Sequence, residues 1–355
     1  MDRSIALDWI QVPFKEPFRI SNGSVALKDA IIVTYSRDGV SGYGEASPMS
    51  GAFYSSETPE SSWAALEQLS AAVLRDPCVD LDTIVRGEAF AKAGIAGALL
   101  DCELRGAGIP LWQWLGGRER PVASGVAIGI FDTIEELLER VARYVAQGYR
   151  RVKIKIQPGW DIEPVSRVRE RFPTVPLMTD ANAAYSIRDI DIFRELDRFN
   201  LMMYEQPFAR HALEELAELA RSVRTPVCAD ESAEDLEALE RIIELGSARI
   251  INIKIQRVGG IRNAQRMHDR AQEAGLTCWA GTMPELGIAS AEAVHLATLP
   301  NFVYPTDVEA WHRWYTDDVI EPGITIDAEG YLYPKVVRLL PEKIERYRVK
   351  HVKWK

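Results

Sequence analysis

Cysteine is scarce in this chain, with Cys78, Cys102, Cys228 and Cys278 the only four among 355 residues. They form no C-x-x-C pair and no cysteine–histidine cluster at zinc spacing, which excludes a disulfide-stapled scaffold and a zinc module. Isolated thiols of this kind fit a reducing compartment, so a cytoplasmic location is expected. Long apolar runs are missing too: nothing approaches the roughly eighteen residues of a membrane span, and the first ten residues carry Asp2 and Asp8. Positive charge is in deficit, with 42 Lys and Arg against 52 Asp and Glu and a net charge of −10. Neither nucleic acid nor an anionic membrane is therefore an expected partner. The five histidines, His211, His268, His295, His312 and His351, have no metal spacing and avoid the predicted strand ends. What remains is 47% hydrophobic and 26% charged, enough to bury at least one large core.

The first part of the chain mixes an alternating stretch at residues 30–36 with helical patterns at 61–74 and 88–105, an α+β pattern. Gly106, Gly108, Pro110, Gly116 and Gly117 then crowd into one short segment. That density of breakers places a boundary, dividing residues 1–117 from 118–318. Beyond it the rhythm becomes a repeated strand, turn and amphipathic helix. The strands are predicted at residues 122–130, 151–156, 177–181, 201–205, 227–230, 250–255 and 276–280. Such a series is the content of a parallel barrel or a doubly wound sheet.

The charges at the strand ends separate the two. Lys155, Asp180, Glu205, Asp230 and Lys254 follow one another at intervals of 25, 25, 25 and 24 residues, one per repeat. In a closed barrel all carboxyl ends converge on one mouth, so these five charges would share a pocket. Alternation agrees: Val152, Ile154 and Ile156 point one way and Lys153 and Lys155 the other, and Ile251, Ile253 and Ile255 oppose Asn252 and Lys254. The isoleucines suit the helix layer, which leaves the lysines facing the axis. There an ammonium is costly unless it meets opposite charge, and the acidic trio is the obvious compensation.

Three converging carboxylates repel one another unless a cation sits between them. An all-oxygen donor set selects a hard ion, Mg²⁺ first and Mn²⁺ second. A lysine in a cationic, partly desolvated place has its pKa lowered toward neutrality, as a general base requires. Together these imply abstraction of a proton next to a carboxylate, the metal holding the substrate oxygens as an enediolate forms. The expected partner is a small-molecule carboxylate.

The motifs KIKIQPGWD (residues 153–161), DAN (180–182), EQP (205–207), DES (230–232) and NIKIQRVGG (252–260), in this order and spacing, resemble the enolase superfamily. Within it they are similar to the muconate-lactonising subgroup. EPFRISNG (16–23) and FYSSE (53–57) look like the two loops of its capping domain, and GWDIEPV and TMPELGIA (282–289) are most similar to o-succinylbenzoate synthases and N-succinylamino acid racemases. The resemblance implies an α/β fold, a modified (β/α)7β TIM barrel with an α+β capping domain completed by residues 319–355. It further implies that Asp180, Glu205 and Asp230 ligate Mg²⁺ and that Lys155 and Lys254 exchange protons. Lys153 would lie beside Lys155 and depress its pKa, Asn182 would support the ligands, and Glu231 would orient toward Lys254. Phe18, Arg19, Tyr54, Ser124, Met283 and Glu285 are the implied substrate contacts. Where the family usually reads GGM-x-E-x-G-x-G-R, this chain has Thr282 and Ala289–Ser290, a departure that bears on the substrate and leaves the metal and lysine roles untouched. Barrels of this sort commonly associate, so a homo-oligomer is expected.

Each residue also has a plainer reading. A lone strand-end charge is usually a solvated group, and Glu285 fits a helix cap as well as a substrate contact. Gly259–Gly260 reads as a tight turn before a helix, and Trp311, Trp314 and Tyr315 as packing where the chain leaves the barrel. DAEGYLY (327–333) reads as a hairpin completing the capping sheet. Dehydration and racemisation both remain open, as does a metal-free Schiff-base aldolase using one buried lysine and a binding protein without turnover.

Overall fold

The computed structural model describes residues 2–20, 23–50 and 55–355, without the side chains of residues 18–20, 23 and 24. Its amino-terminal part is an antiparallel sheet in which Arg3–Ile20 lies between Gly23–Arg37 and Arg348–Trp354, with Val40–Ala46 at the edge. Two helices, Pro59–Arg75 and Ala89–Ala107, cover one face. The first begins where its sequence says it should: Thr58 accepts from the Ser61 N–H in a reciprocal capping box, and Pro59 opens the first turn. Gly44 lets the edge strand lie directly on the second helix, because a Cβ there would fall 1.9 Å from the Gly94 carbonyl oxygen. Ile5, Leu7, Ile31, Val33, Trp63, Leu66 and Ile95 fill the core between sheet and helices.

The seven predicted parallel strands are present as one sheet, from Val126–Ile128 through Val152–Lys155, Leu177–Asp180, Tyr204–Glu205, Val227–Ala229 and Ile250–Ile253 to Thr277–Ala280. Residues 302–307 close the ring: Phe302 bridges Cys278 on one side and Thr306 bridges Ser124 on the other, both in parallel. The outward isoleucines Ile154, Ile251 and Ile253 join the main core against helices such as Ile134–Ala146, whose Leu137, Leu138, Val141 and Tyr144 are buried. The inner face divides into layers. Met178, Met203, Cys228, Ile250 and Trp279 form an apolar floor, and two residues further along the same strands come Asp180, Glu205, Asp230 and Asn252.

One expectation is corrected. The stretch ending at Tyr331–Leu332 does not complete the capping sheet; it pairs with Val122–Ala123, and the capping sheet is completed by Arg348–Trp354 on Arg3–Ile20. A turn with flanking apolar residues fixes that a strand forms but not which edge it finds. The tryptophan segment behaves as read: Tyr315 bridges Phe14, with ring centroids 5.2 Å apart, at the return to the capping sheet. Among the described residues no helix is long and apolar enough to cross a membrane.

Candidate active site

Asp180, Glu205 and Asp230 all lie at the carboxyl ends of adjacent strands and are almost fully buried. Each faces a cation. Lys155 Nζ lies 2.9 Å from Asp180 Oδ2 and also donates to Asn182 Oδ1. Lys153 Nζ stands 3.1 Å from Glu205 Oε2 and 3.5 Å from Asp180 Oδ2. Lys254 Nζ is 2.8 Å from Asp230 Oδ2. The inward lysines predicted from alternation are thus on the axis and compensated as electrostatics demands. Lys155 and Lys254 reach the trio from strands on its two sides.

The three carboxyls differ in proton affinity. Burial followed by the neighbouring charge of Asp180 pushes Glu205 up to about 8. Burial would raise Asp180 and Asp230 also, but Lys155 and Lys153 hold the first below the usual carboxylate range, and Arg257 and Lys254 the second. Burial would lower Lys153, yet Asp307, Glu205 and Asp180 outweigh it and hold that ammonium well above an ordinary lysine. Lys153 therefore neutralises carboxylates at the barrel axis, sharing Asp180 Oδ2 with Lys155.

The supporting residues fall partly where they were expected. Asn182, in a left-handed turn with φ of 40°, a conformation asparagine tolerates, donates its N–H to Asp180 Oδ1 at 3.0 Å. Glu231 Oε1 accepts from Asn182 Nδ2 at 3.3 Å; burial and the charge of Asp230 push Glu231 up to about 7, against the pull of the nearby Lys254 ammonium. Glu285 is buried, accepts the Met283 N–H at 3.0 Å and leaves Oε2 without a hydrogen-bond partner among the described residues. Met283 is itself buried against the capping core. The Ser124 hydroxyl is fully buried and donates to the Val308 carbonyl at 2.6 Å, on the ring-closing side of the barrel. The backbones of Phe18 and Arg19 pair with Val25 and Ser24; their side chains, and Tyr54 entirely, lie outside the described residues.

Four contributors were not foreseen. Asp307, at the end of the closing segment, binds Lys153 Nζ at 2.6 Å and Arg151 Nη2 at 2.7 Å. Arg257 Nη1 lies 2.6 Å from Asp230 Oδ1. Asn252 Nδ2 donates to Glu205 Oε1 at 2.9 Å. Gln206 accepts the Asp230 and Ser232 N–H groups and donates to Ser232 Oγ and the Phe208 carbonyl, tying two acidic strand ends together. The available signals were position, three residues past Lys254 for Arg257, and alternation for Asn252.

A hard divalent cation suits this donor set: three buried carboxyls on neighbouring strand ends, one of them pushed toward protonation by burial and then by the charge of Asp180. Among the described residues no three acidic side chains already converge on a single metal-ligating point, each being drawn to its own ammonium or guanidinium. Seating an ion means exchanging those partners for it.

Two family models match the chain: the mandelate racemase / muconate lactonizing enzyme amino-terminal domain over residues 5–116, and the enolase carboxy-terminal domain-like model over 136–335. The chain belongs to the enolase superfamily. Among enolase-superfamily relatives, it is 41% identical to an o-succinylbenzoate synthase of Geobacillus kaustophilus, covering 91% of this chain and 88% of that one. It is 39% identical to an N-succinylamino acid racemase of an Amycolatopsis species, covering 90% and 89%. A solved dipeptide epimerase from Enterococcus faecalis, complexed with Mg and the dipeptide L-Leu-L-Tyr, superposes with a TM-score of 0.88 at 27% identity over 96% of this chain and 99% of that one. The modified barrel with its capping domain is the superfamily architecture.

Proposed function

We propose that this enzyme removes a proton α to a carboxylate with Mg²⁺ as cofactor. It acts as an o-succinylbenzoate synthase in cytoplasmic menaquinone synthesis and racemises N-succinylamino acids in the same pocket. The observation that carries the reading is the pair of amines, Lys155 and Lys254, flanking one acidic trio and each hydrogen-bonded to the carboxylate on its own side. The second activity is supported by the likeness to the Amycolatopsis racemase, which is nearly as close as that to the synthase.

Asp180, Glu205 and Asp230 are the residues that would hold Mg²⁺, which when bound supplies positive charge against the negative charge that develops on the substrate carboxylate. Lys155, once its hold on Asp180 is released, accepts the α-proton as a neutral amine. In dehydration the same ammonium returns that proton to the departing hydroxyl, so water leaves from the face that lost the proton. In racemisation Lys254, as an ammonium, delivers a proton to the opposite face of the α-carbon. Lys153 stays charged, held by Asp307, while the other two lysines change state. Asn182 orients Lys155.

The test is direct: pure protein with Mg²⁺ is given the synthase substrate, followed by absorbance, and N-succinylphenylalanine, followed by optical rotation and α-proton exchange in D₂O. Turnover of both, abolished by EDTA, is expected. Borohydride trapping of a carbonyl substrate that survives EDTA would overturn the proposal in favour of a Schiff-base enzyme.

A further inference from the structure

The turn that follows Lys254 is fastened from outside the barrel. Gln256, two residues past that lysine, is fully buried, and both ends of its amide are used by the capping domain. Its Oε1 accepts the Ser47 N–H at 3.0 Å and its Nε2 donates to the Glu45 carbonyl at 2.9 Å. The capping segment is itself pinned: Lys28 Nζ, buried, donates to the carbonyls of Ser47 at 3.0 Å and Pro48 at 3.1 Å. The Glu45 carboxylate crosses to the next barrel loop, accepting the Leu286 N–H at 2.7 Å and the Ala289 N–H at 3.0 Å. Within the turn, the Val258 N–H returns to the Lys254 carbonyl at 3.2 Å, and Arg257 closes on Asp230. No equivalent contact from the capping domain holds the residues just after Lys155 among the described residues. There Gln157 pairs with Trp160 and the Ile156 N–H goes to the Asp180 carbonyl, all within the barrel.

We infer that Gln256 is a positioning residue for Lys254: through it, segment 45–48 of the capping domain sets the reach of that one of the two amines. The inference rests on the two-amine reading above, in which Lys155 and Lys254 work on opposite faces of the α-carbon. A merely structural bond would affect both faces alike; this one acts on a single face.

The experiment measures α-proton exchange in D₂O for the two enantiomers of N-succinylphenylalanine with the Mg²⁺-loaded enzyme. Lys254→Ala identifies the enantiomer whose exchange depends on that lysine. Gln256→Leu is expected to slow that enantiomer about ten- to a hundredfold, the usual penalty for a catalytic group displaced by an ångström or less, and the other by less than about threefold. Gln256→Glu, which keeps the acceptor for Ser47 and loses the donor to Glu45, should show the same selectivity with a smaller loss, and it carries the test should the leucine variant fail to fold. Gln265→Ala removes a different contact between capping domain and barrel, to the Leu115 carbonyl, and should leave the enantiomer ratio at the wild-type value. Equal losses on both faces in the Gln256 variants, or a shifted ratio in Gln265→Ala, would overturn the inference. Wild-type enzyme that exchanges neither enantiomer would instead refute the underlying reading.

Discussion

The inner face of the barrel carries two layers built on the same strands, two residues apart. Met178, Met203, Cys228 and Ile250 pack with Trp279 as an apolar floor; Asp180, Glu205, Asp230 and Asn252 stand above them in an ionic network. Both layers are buried to the same degree, and both are needed to fill the barrel. They differ in what burial does. The floor gains from leaving water, whereas each acid in the upper layer loses hydration and recovers it through a partner cation and, for Asp180 and Glu205, an amide donor. Chemistry sits where burial is costly, and the layer below holds it rigid.

Removing the base should separate the layers most sharply. Lys155→Ala is expected to lower α-proton exchange about 10³- to 10⁴-fold, the contribution typical of a positioned general base, as read by deuterium incorporation. Exchange at the wild-type rate would end its assignment. In the floor the effect appears in stability: Trp279, fully buried, packs under Arg151 and Lys153 with centroid distances of 5.0 and 4.8 Å and donates to the Pro305 carbonyl. Trp279→Ala should cost about 3–5 kcal/mol in urea unfolding.

The upper layer should also make stability depend on pH where the floor does not. Glu205 in the folded protein keeps its proton up to about 8, against 4.5 in the unfolded chain. Between those values the folded state binds more protons, so its stability falls as pH rises through this window, by about 2–4 kcal/mol. Asp230, held below the usual range, acts in the opposite sense and only in strong acid. Urea midpoints without divalent cation should decline from pH 5 to about pH 8. Glu205→Gln should make the decline shallower, the part that remains coming from Glu231 and the other buried carboxyls raised into the same window, and Met203→Leu, one layer below on the same strand, should leave it intact.

How much of this was legible depends on whether a residue's neighbours are local. The 25-residue recurrence of strand-end charge and the alternation around Lys153 and Asn252 fixed the ring and its inner face, because both follow from the strand period. Asp307 escaped because its segment joins the ring by a few scattered backbone contacts and presents no alternating pattern. Glu45 and Gln256 escaped because their partners lie 241 and 209 residues away. The capping sheet's last strand was misplaced for the same reason: edge selection is a tertiary choice.

The smallest effect tests how tightly the two kinds of packing are coupled. Gly281 follows the last strand of the sheet, and a Cβ there would lie 2.1 Å from Asn252 Oδ1 and 2.7 Å from Nδ2. Asn252 has nowhere easy to go, being fully buried with Nδ2 bonded to Glu205. Gly281→Ala should therefore cost about 1–3 kcal/mol, as overpacking does, and it should also weaken Mg²⁺ binding, because the displaced amide releases a carboxylate of the acidic trio. Adding Asn252→Ala makes room for the methyl. It should restore part of the stability but not the metal affinity, since the bond to Glu205 is then gone altogether. Titrating Mg²⁺ into the single and double variants, alongside urea unfolding, checks both halves. If the double variant recovered metal affinity together with stability, Asn252 would be filler, and the upper layer would owe its order to the acids and lysines alone.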